Sequence, residues 1–440
     1  MLLLQHIATA QIITTYAGDK YSYCVCEGLP ATDASIFVPT SMAFDTAGNL
    51  YVTELNNHCI RKITKAGLIY TIAGKRGYSG YSGDGGPASA AMLYFPNCLA
   101  TDYAGNLYIG DRENLCVRKI DPSGIITTFA GNTDFGDEGD GGPATDATFS
   151  SIRGIATDVD GSVYVLDGTR GRVRRINRSG TITAYAGGGA FGYLGDGGPA
   201  TKAYLNTSRG LSIDKNKNLY IGEQDGNRVR RVDSNGIITT VAGTVHHGFR
   251  GDGEAATIAR LYGPAGTVTD KAGNLYIADQ YNHRIRKVNP SGIITTFAGT
   301  GEVGPVAPRP PINDGGSATD AGLYAPEGMA IDDSGNMYIA DTYNYLIRKV
   351  SFSTVAVANT APTYADIIIS PNPVDATGLV NVYTPKEMQY NCINAIGQTI
   401  ASGILKAGDN SISLSLAPKG LYMLELKANG YNSVWKIVKL

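Results

Sequence analysis

The stretch DKAGNLYIADQYNHRIRKVNPSGIITTFAG, residues 270–299, contains an acidic-glycine turn followed by three apolar runs that two further polar turns separate. Similar stretches begin at five other aspartates, namely Asp45, Asp102, Asp158, Asp214 and Asp332. Successive copies start 56 or 57 residues apart, with one step of 62. A repeat of about this length is typical of solenoids and propellers, in which each copy is one supersecondary unit.

Each copy predicts four short β-strands. An Asp-x-x-Gly-Asn turn joins the first strand to the second, because Asp caps such a turn and Gly adopts positive φ there. In the second strand Leu275, Tyr276 and Ile277 put large side chains on both alternating faces, so both faces of the strand are expected to be covered. A four-stranded sheet that is buried on both faces and repeated around an axis is a propeller blade. The sequence therefore predicts an all-β propeller over residues 11–354.

The start of the chain supplies the part of a repeat that the sixth copy lacks. The sixth copy ends at RKVSFST without the fourth-strand pattern, whereas IITTYAG stands alone at residues 12–18. We expect residues 12–18 to complete the sixth blade and close the ring, which removes an open sheet edge. Pairing by residues 352–359 is the alternative.

Between blades a segment of the form GDGGPATDATF recurs. Pro just inside a short alanine-rich run suits the first turn of a helix, so we expect a brief helical crossing. Each of these segments carries an aspartate before a glycine at one equivalent position, and the five are Asp84, Asp140, Asp196, Asp252 and Asp314. Calcium takes about six to eight oxygen ligands, which one isolated carboxylate per blade cannot supply. We therefore interpret these aspartates as caps or turn supports.

Every copy carries an acidic residue seven positions before an arginine. The six pairs are Glu54–Arg61, Asp111–Arg118, Asp167–Arg174, Glu223–Arg230, Asp279–Arg286 and Asp341–Arg348. Across a tight hairpin this spacing makes the two side chains neighbours, which allows a charge-assisted hydrogen bond. Because the pair recurs in every copy, we interpret the set as a structural ladder rather than as six active sites.

These repeats resemble the NHL-repeat family, which is named after an Asn-His-Leu motif. Asn57-His58 and Asn282-His283 match the first two motif positions, and the resemblance covers about residues 12–354. It implies a six-bladed β-propeller. Some six-bladed relatives are lyases or lactonases whose channel carries His, Asp and Glu, but the loop pair His246-His247 has no matching acidic cluster. We expect no metal and no other cofactor, and a secreted channel-site lyase or hydrolase is the alternative function.

Function is expected where the copies differ. The position just before the innermost strand faces the channel mouth of a propeller, and around the ring it is occupied by Thr40, Asn97, Arg153, Arg209, Ala265 and Glu327. The turns between second and third strands are expected at the same rim and add Arg112, Arg170, Tyr281 and Tyr343. A basic mouth with aromatic edges predicts binding of an anionic or sugar-like ligand, on a protein or a carbohydrate. A solvated rim without a ligand is the alternative.

The composition argues against two classes of partner. A net charge of −2 makes nucleic acid and anionic membranes unexpected partners. No internal run approaches the roughly 18 apolar residues of a membrane span. The six cysteines show no Cys-x-x-Cys spacing typical of zinc sites.

The composition changes after Asn359. Residues 355–366 read as a linker and residues 367–440 as a small β-sandwich. The latter resembles the type A C-terminal sorting domain of the type IX secretion system of Bacteroidetes. The matching motifs are Ser370-Pro371-Asn372-Pro373, Gly397-Gln398, Gly420-Leu421-Tyr422 and Lys436-Ile437-Val438-Lys439. The resemblance implies the type IX machinery as a partner and a location outside the cell or on its outer surface.

The first ten residues, MLLLQHIATA, combine an apolar run with a small-residue ending. Such an ending resembles the cleavage site of a secretory signal peptide, so residues 1–10 are interpreted as the remnant of one. An ordinary first strand is the alternative.

Overall fold

The computed structural model describes residues 9–19, 27–188, 190–302, 313–354, 367–370, 374, 378–394, 398–428 and 431–439. Contacts divide the chain into one compact unit, Thr9–Ser353, and a second unit that contains the C-terminal strands. The linker predicted at 355–366 and most of the signal-peptide remnant predicted at 1–10 lie outside the described residues.

The first unit consists of six antiparallel sheets, one per repeat. The first strands are Pro39–Phe44, Pro96–Thr101, Ile152–Thr157, Ser208–Ile213, Pro264–Thr269 and Met329–Ile331. The second strands are Leu50–Glu54, Leu107–Asp111, Val163–Asp167, Leu219–Glu223, Leu275–Asp279 and Met337–Asp341. The third strands are Cys59–Ile63, Cys116–Ile120, Arg172–Ile176, Arg228–Val232, Arg284–Val288 and Leu346–Thr354. The fourth strands are Leu68–Ala73, Ile126–Ala130, Ile182–Ala186, Ile238–Gly243, Ile294–Ala298 and Thr9–Ala17. A short extra strand, Leu29–Pro30, pairs with the fourth strand of blade 1.

The strand Thr9–Ala17 lies beside Leu346–Thr354 and completes the sixth sheet. The expectation that the start of the chain closes the ring is therefore confirmed. Around the axis each first strand packs against the first strands of both neighbouring blades, and that of blade 6 contacts that of blade 1. The architecture is a closed six-bladed propeller, in which the fourth strand is the outermost of the four repeated strands of each blade.

Hydrophobic contacts lie between blades as well as within them. One cluster joins Tyr276 and Ile285 of blade 5 to Met329 and Ile339 of blade 6, and it includes Ile13 of the closing strand. Stacking of neighbouring repeats is thus what buries the apolar faces of each sheet.

Glycines let the first strands approach each other closely. In four of the six, a glycine follows the residue at the mouth position; these are Gly154, Gly210, Gly266 and Gly328. A Cβ at Gly328 would lie 2.6 Å from the carbonyl oxygen of Thr40 on the next blade, and one at Gly154 would lie 2.8 Å from Cβ of Leu211. The central channel is narrow for this reason.

The segments between blades contain single three-residue 3-10 turns rather than the predicted helical crossings. They are Ala31–Asp33, Ala88–Ala90, Ala144–Asp146, Ala200–Lys202, Ala256–Ile258 and Ala318–Asp320. Pro87, for example, immediately precedes its turn instead of occupying the first helical position. The chain here runs along a sheet edge: the amide of Ala88 donates to the carbonyl of Gly124, and Pro87 bridges Ile125. This pairing leaves room for one turn only, and it covers the outer edge of the next blade.

The turns inside the blades follow the predicted chemistry. Asp45 accepts hydrogen bonds from the amides of Ala47 and Asn49, and Gly48 has a φ of 84°. Between second and third strands, four blades contain a further 3-10 turn; these are Leu55–Asn57, Arg112–Asn114, Gln280–Asn282 and Thr342–Asn344.

The second unit is a small β-sandwich, as the sequence predicts. One sheet contains Ile368–Ser370, Leu379–Thr384 and Gly408–Ser413. The other contains Met388–Asn394, Thr399–Leu405, Gly420–Ala428 and Tyr431–Lys439. Side chains of both sheets, among them Val382 and Leu424, share one core. Lys439 of the closing motif donates from Nζ to the carbonyl oxygens of Leu414 and Ala417, 2.7 and 2.6 Å away.

Candidate functional site

The acid–arginine ladder lies inside the blades. In blade 5 the guanidinium of Arg286 is fully buried, and its Nη1 lies 3.3 Å from Oδ2 of Asp279. The corresponding nitrogen–oxygen distances are 3.0 Å for Arg61–Glu54, 3.4 Å for Arg118–Asp111, 3.6 Å for Arg230–Glu223 and 3.7 Å for Arg348–Asp341. Burial raises the pKa of Asp279 to about 6, although the amide of Tyr262, the side chain of Asn282 and Arg286 oppose this shift.

A second carboxylate completes each ladder site. Nη2 of Arg286 lies 2.6 Å from Oδ1 of Asp252, one of the aspartates between blades. The same contact joins Arg118 to Asp84, Arg174 to Asp140, Arg230 to Asp196 and Arg348 to Asp314, at 2.5 to 2.9 Å. Each of these arginines therefore ties a segment between blades to the middle of a sheet. The sequence interpretation as turn supports did not foresee this partner, because the two residues are separated by 34 positions.

Blade 3 departs from the pattern. Arg174 binds Asp140 at 2.9 Å, but it makes no described ion pair with Asp167. Asp167 accepts hydrogen bonds from the amide and the hydroxyl of Ser150 instead. In three other blades a tyrosine occupies the position of Ser150, and its amide donates to Oδ1 of the carboxylate. Oδ2 of the same carboxylate lies beside the arginine.

The channel mouth holds a small polar cavity of about 90 Å³ at the axis of the ring. Its polar lining includes Thr40, Asn97, Arg112, Arg153, Arg209 and Glu327. Oδ1 of Asn97 and Nε of Arg112 are buried there without a hydrogen-bond partner in the described part of the chain. A cavity of this size holds a few water molecules or one small charged group.

Arg153 lies between two other arginines, Arg112 and Arg209, on neighbouring blades. Its Nε donates to Oγ of Ser151 at 3.3 Å, and among residues 9–354 as described it forms no ion pair. Burial lowers the pKa of Arg153, and the charges of Arg112 and Arg209 lower it further. The mouth therefore carries positive charge that nearby carboxylates do not fully neutralise.

Glu327 is the carboxylate of the mouth, and a hydrogen-bond network holds it. Its Oε1 lies 3.2 Å from Nη1 of Arg209 and accepts a bond of 2.8 Å from Nε2 of Gln280. Gln224 donates to Oε1 of Gln280 at 2.9 Å and to the hydroxyl of Tyr281 at 3.1 Å. Burial raises the pKa of Glu327, and Arg209 opposes that shift.

The remaining predicted mouth residues differ in position. Tyr281 and Tyr343 are about half-exposed, and the charges of Glu327 and Arg209 act on the Tyr343 hydroxyl. Arg170 instead places its guanidinium 5.4 Å from the ring centre of Phe135. Ala265 lines the cavity without a polar group.

Two network residues escaped the sequence analysis, namely Gln224 and Gln280. They occupy the position directly after the ladder acid, which in the other blades holds Leu55, Arg112, Gly168 and Thr342. That position varies between copies as strongly as the mouth position does. Comparing the same register in all six turns would have identified both glutamines.

No described group of three or more His, Cys, Asp or Glu residues is arranged to hold a metal ion. The lyase or hydrolase alternative therefore stays a prediction. Within the described ranges, no helix has the length and apolar character needed to cross a membrane.

Two family models match different parts of the chain. The family model of the teneurin NHL domain matches residues 132–191, 189–250 and 245–311, and that of the secretion system C-terminal sorting domain matches 369–440. The chain consists of an NHL-repeat propeller and a type IX sorting domain. The sorting domain directs the NHL-repeat propeller through the type IX system, out of the cell or to its outer surface.

Curated relatives of the NHL-repeat propeller come from plants and animals. NHL repeat-containing protein 2 of Bos taurus is 28% identical over 363 residues, which are 73% of this chain and 48% of that protein. Protein SUPPRESSOR OF QUENCHING 1, chloroplastic, of Arabidopsis thaliana is 29% identical over 331 residues, covering 72% of this chain and 30% of the relative. Teneurin-4 of Homo sapiens is 29% identical over 74% of this chain and 12% of its own length. The chain thus spans between about an eighth and a half of these relatives.

Among solved structures, an auxiliary nutrient binding protein from Bacteroides ovatus aligns with a TM-score of 0.57 at 17% identity, covering 79% of this chain and 78% of the other. A protein of the same description from Bacteroides thetaiotaomicron aligns with a TM-score of 0.57 at 19% identity, covering 78% and 77%. At these identities the similarity shows a shared fold and no shared function.

Proposed function

We propose that this propeller is a secreted or surface-exposed binding protein that holds an anionic group of its ligand at the channel mouth. The observation that carries the proposal is Arg153, a half-buried arginine that has two arginine neighbours and, in the part of the chain that the structure describes, no carboxylate within ion-pair distance. An unpaired guanidinium offers a planar pair of donors that matches a carboxylate or a sulfate.

The size of the mouth limits what can enter it. Pockets that enclose whole small ligands measure roughly 300 to 1,000 Å³, several times the 90 Å³ found here. A carboxylate or sulfate group fits, whereas the body of the ligand would remain outside. Tyr281 and Tyr343 belong to blades 5 and 6, and their half-exposed rings offer surfaces against which that body can pack.

The sequence predicts a ligand on a protein or on a carbohydrate, and either can carry the anionic group. The shared fold of the Bacteroides ovatus auxiliary nutrient binding protein is compatible with a ligand-binding role. Export places the mouth where extracellular ligands are available.

The test is calorimetric titration of the protein with D-galacturonate, a sugar that carries a carboxylate. D-galactose, the same ring without the charge, is the matched ligand control. We expect binding of galacturonate that Arg153→Ala weakens by roughly tenfold or more, because one charge-assisted pair contributes about 1.5–3 kcal/mol. Arg170→Ala is the matched protein control, since its guanidinium contacts Phe135 rather than the mouth. Equal affinity for galactose, or unchanged affinity in Arg153→Ala, would contradict the proposal.

A further inference from the structure

In three blades, the residue that follows the turn between second and third strands accepts a hydrogen bond from the next blade. Nδ1 of His283 accepts a hydrogen bond of 3.0 Å from the amide of Ala325, and Nδ1 of His58 accepts one of 3.1 Å from the amide of Phe95. In the same register, Oδ1 of Asn227 accepts from the amide of Gly263 at 3.2 Å. Three of the six gaps between blades therefore use a side-chain acceptor at one equivalent position.

The donors of these bonds each lie two residues before a mouth residue. Each of the three amides belongs to a residue that is followed by a proline and then by a mouth residue, in the sequences Phe95-Pro96-Asn97, Gly263-Pro264-Ala265 and Ala325-Pro326-Glu327. Ala325 has a φ of 47°, a left-handed conformation that alanine rarely adopts. A conformation of this kind persists only when its surroundings hold it. The bond to His283 is one such restraint two residues before Glu327.

The chemistry of this bond fixes the state of the imidazole. A backbone N–H can only donate, so Nδ1 must carry a lone pair and the ring proton must sit on Nε2. A protonated imidazole has N–H groups at both nitrogens and cannot accept. The Asn227 amide oxygen, by contrast, accepts at any pH.

The surroundings of His283 favour the neutral ring. Burial lowers its pKa from the ordinary 6.5, and Arg284, its neighbour in the chain, lowers it further. The ring of Tyr324 lies edge-on with its centre 5.5 Å away. Among the described residues, Arg284 is the charged group that acts on the imidazole, and no carboxylate offsets it.

We propose that His283 is a positioning residue for the channel mouth: its neutral ring holds the Ala325 amide and with it Glu327 against Arg209, and protonation releases that restraint. Release weakens the Glu327–Arg209 pair and makes Arg209 available to an incoming anion. The inference rests on the proposed anion site and adds to it that the affinity of the mouth rises as pH falls through the range in which His283 becomes charged.

Two substitutions separate positioning from charge. His283→Asn, which copies Asn227, keeps an acceptor but cannot be protonated. His283→Leu, which copies the residue found at the equivalent Leu115, removes the acceptor at every pH. We expect wild-type protein to bind galacturonate roughly fivefold more tightly at about pH 5.5 than at about pH 7.5, the lower end of typical coupling between sites.

In His283→Asn, the gain in affinity between about pH 7.5 and about pH 5.5 should shrink to the part that titration of Glu327 alone contributes. In His283→Leu, affinity at about pH 7.5 should already exceed that of the wild-type protein at the same pH, and the remaining gain on lowering the pH to about 5.5 should equal that of His283→Asn. A gain in affinity in His283→Asn as large as that of the wild-type protein would overturn the proposal. Wild-type affinity in His283→Leu at neutral pH would show that only the charge of the ring matters, and would overturn it as well.

A readout without ligand keeps this inference apart from the proposed function. Nitrogen chemical shifts of the imidazoles should assign the neutral Nε2–H form to His283, and the amide of Ala325 should exchange hydrogen faster in His283→Leu than in wild-type protein or His283→Asn. The Nδ1–H form, or equal exchange in all three proteins, would contradict the positioning role. Failure of galacturonate to bind while these results hold would count against the anion site and not against the restraint on Ala325.

Discussion

The ladder inside the blades and the mouth of the channel are both built from arginines and carboxylates, yet their arrangement is opposite. Arg286 is completely buried between two carboxylates, those of Asp279 and Asp252. Arg153 is half-buried between two arginines and has no carboxylate partner among the described residues. In the ladder every guanidinium has a counter-charge from its own fold, whereas the counter-charge of Arg153 has to come from elsewhere.

This difference shows how the ring separates stability from binding. A group that recurs in all six blades supports what all blades share, which is the tie between a sheet and the segment that covers its edge. A group found in one or two blades breaks the symmetry, and it does so at the axis, where residues from all six blades meet. Substitutions in the two regions should therefore affect different properties.

The largest effect should come from removing all the backbone hydrogen bonds that one strand makes with its neighbour. Deletion of residues 9–18 takes the fourth strand from blade 6 together with the fully buried Ile13 and Ala17. We expect a loss of about 5 kcal/mol or more in the free energy of unfolding, beyond the usual range of single substitutions. Thermal melting of a form without residues 367–440 provides the contrast, because that segment belongs to the other compact unit. An unchanged melting temperature after the first deletion would refute ring closure as a source of stability.

A single ladder substitution should rank next. Arg286→Met leaves the carboxylate of Asp279 buried without its charge partner, and we expect destabilisation of about 3–5 kcal/mol. Arg153→Met is the matched control and should change stability by about 1 kcal/mol or less, since it removes a repulsion as well as some packing. Urea denaturation of both variants measures the difference. Equal losses would remove the distinction between scaffold and mouth.

Neutralising the mouth carboxylate should strengthen binding. Glu327→Gln keeps the hydrogen bond with Gln280 and deletes the negative charge that competes with an anion for Arg209. We expect affinity for galacturonate to rise roughly five- to tenfold at neutral pH, in keeping with the loss of one like charge in a partly buried site. Calorimetry checks this, and weaker binding would mean that the anion is not placed beside Arg209.

The smallest effect concerns pH. Burial raises the pKa of Asp279 to about 6, above the 3.8 expected in the unfolded chain. The folded state therefore binds this proton more tightly, so its contribution to stability is fully present below pH 3.8 and is lost as pH rises through about 6. Asp279→Asn should flatten the stability profile over that interval, whereas Asn in place of the exposed Asp320 should not. An identical slope in Asp279→Asn and wild-type protein would assign the pH dependence to other groups.

The sequence predicted the fold because the signal repeats. Six copies of one pattern identify strands, turns and ladder pairs together, and a fourth strand missing at one end and present at the other predicts closure. The prediction of helical crossings was wrong, because residues such as Pro87 and Ala88 pair with the edge of a strand that is distant in sequence. Asp252 was read as a turn support for the same reason, although it is also the partner of Arg286.

The site was less readable than the fold. Reading one register around the ring placed Arg153, Arg209 and Glu327 together, as the cavity shows. Gln280 was missed because the prediction relied on charged and aromatic side chains, whereas Gln280 has a neutral amide. Arg170 illustrates the opposite difficulty, since a residue in the right turn can direct its side chain to a neighbouring loop, in this case to Phe135.

The most direct test of the separation between scaffold and mouth is thermal melting of wild-type protein and Arg153→Ala, each with and without galacturonate. A ligand that binds only the folded state raises the melting temperature, by an amount that grows with its concentration relative to the dissociation constant. We predict equal melting temperatures for the two proteins without ligand, within about 3 °C, and a rise with galacturonate that is clearly larger in wild-type protein than in Arg153→Ala. A rise of the same size in Arg153→Ala, or a large loss of stability in that variant without ligand, would contradict the account.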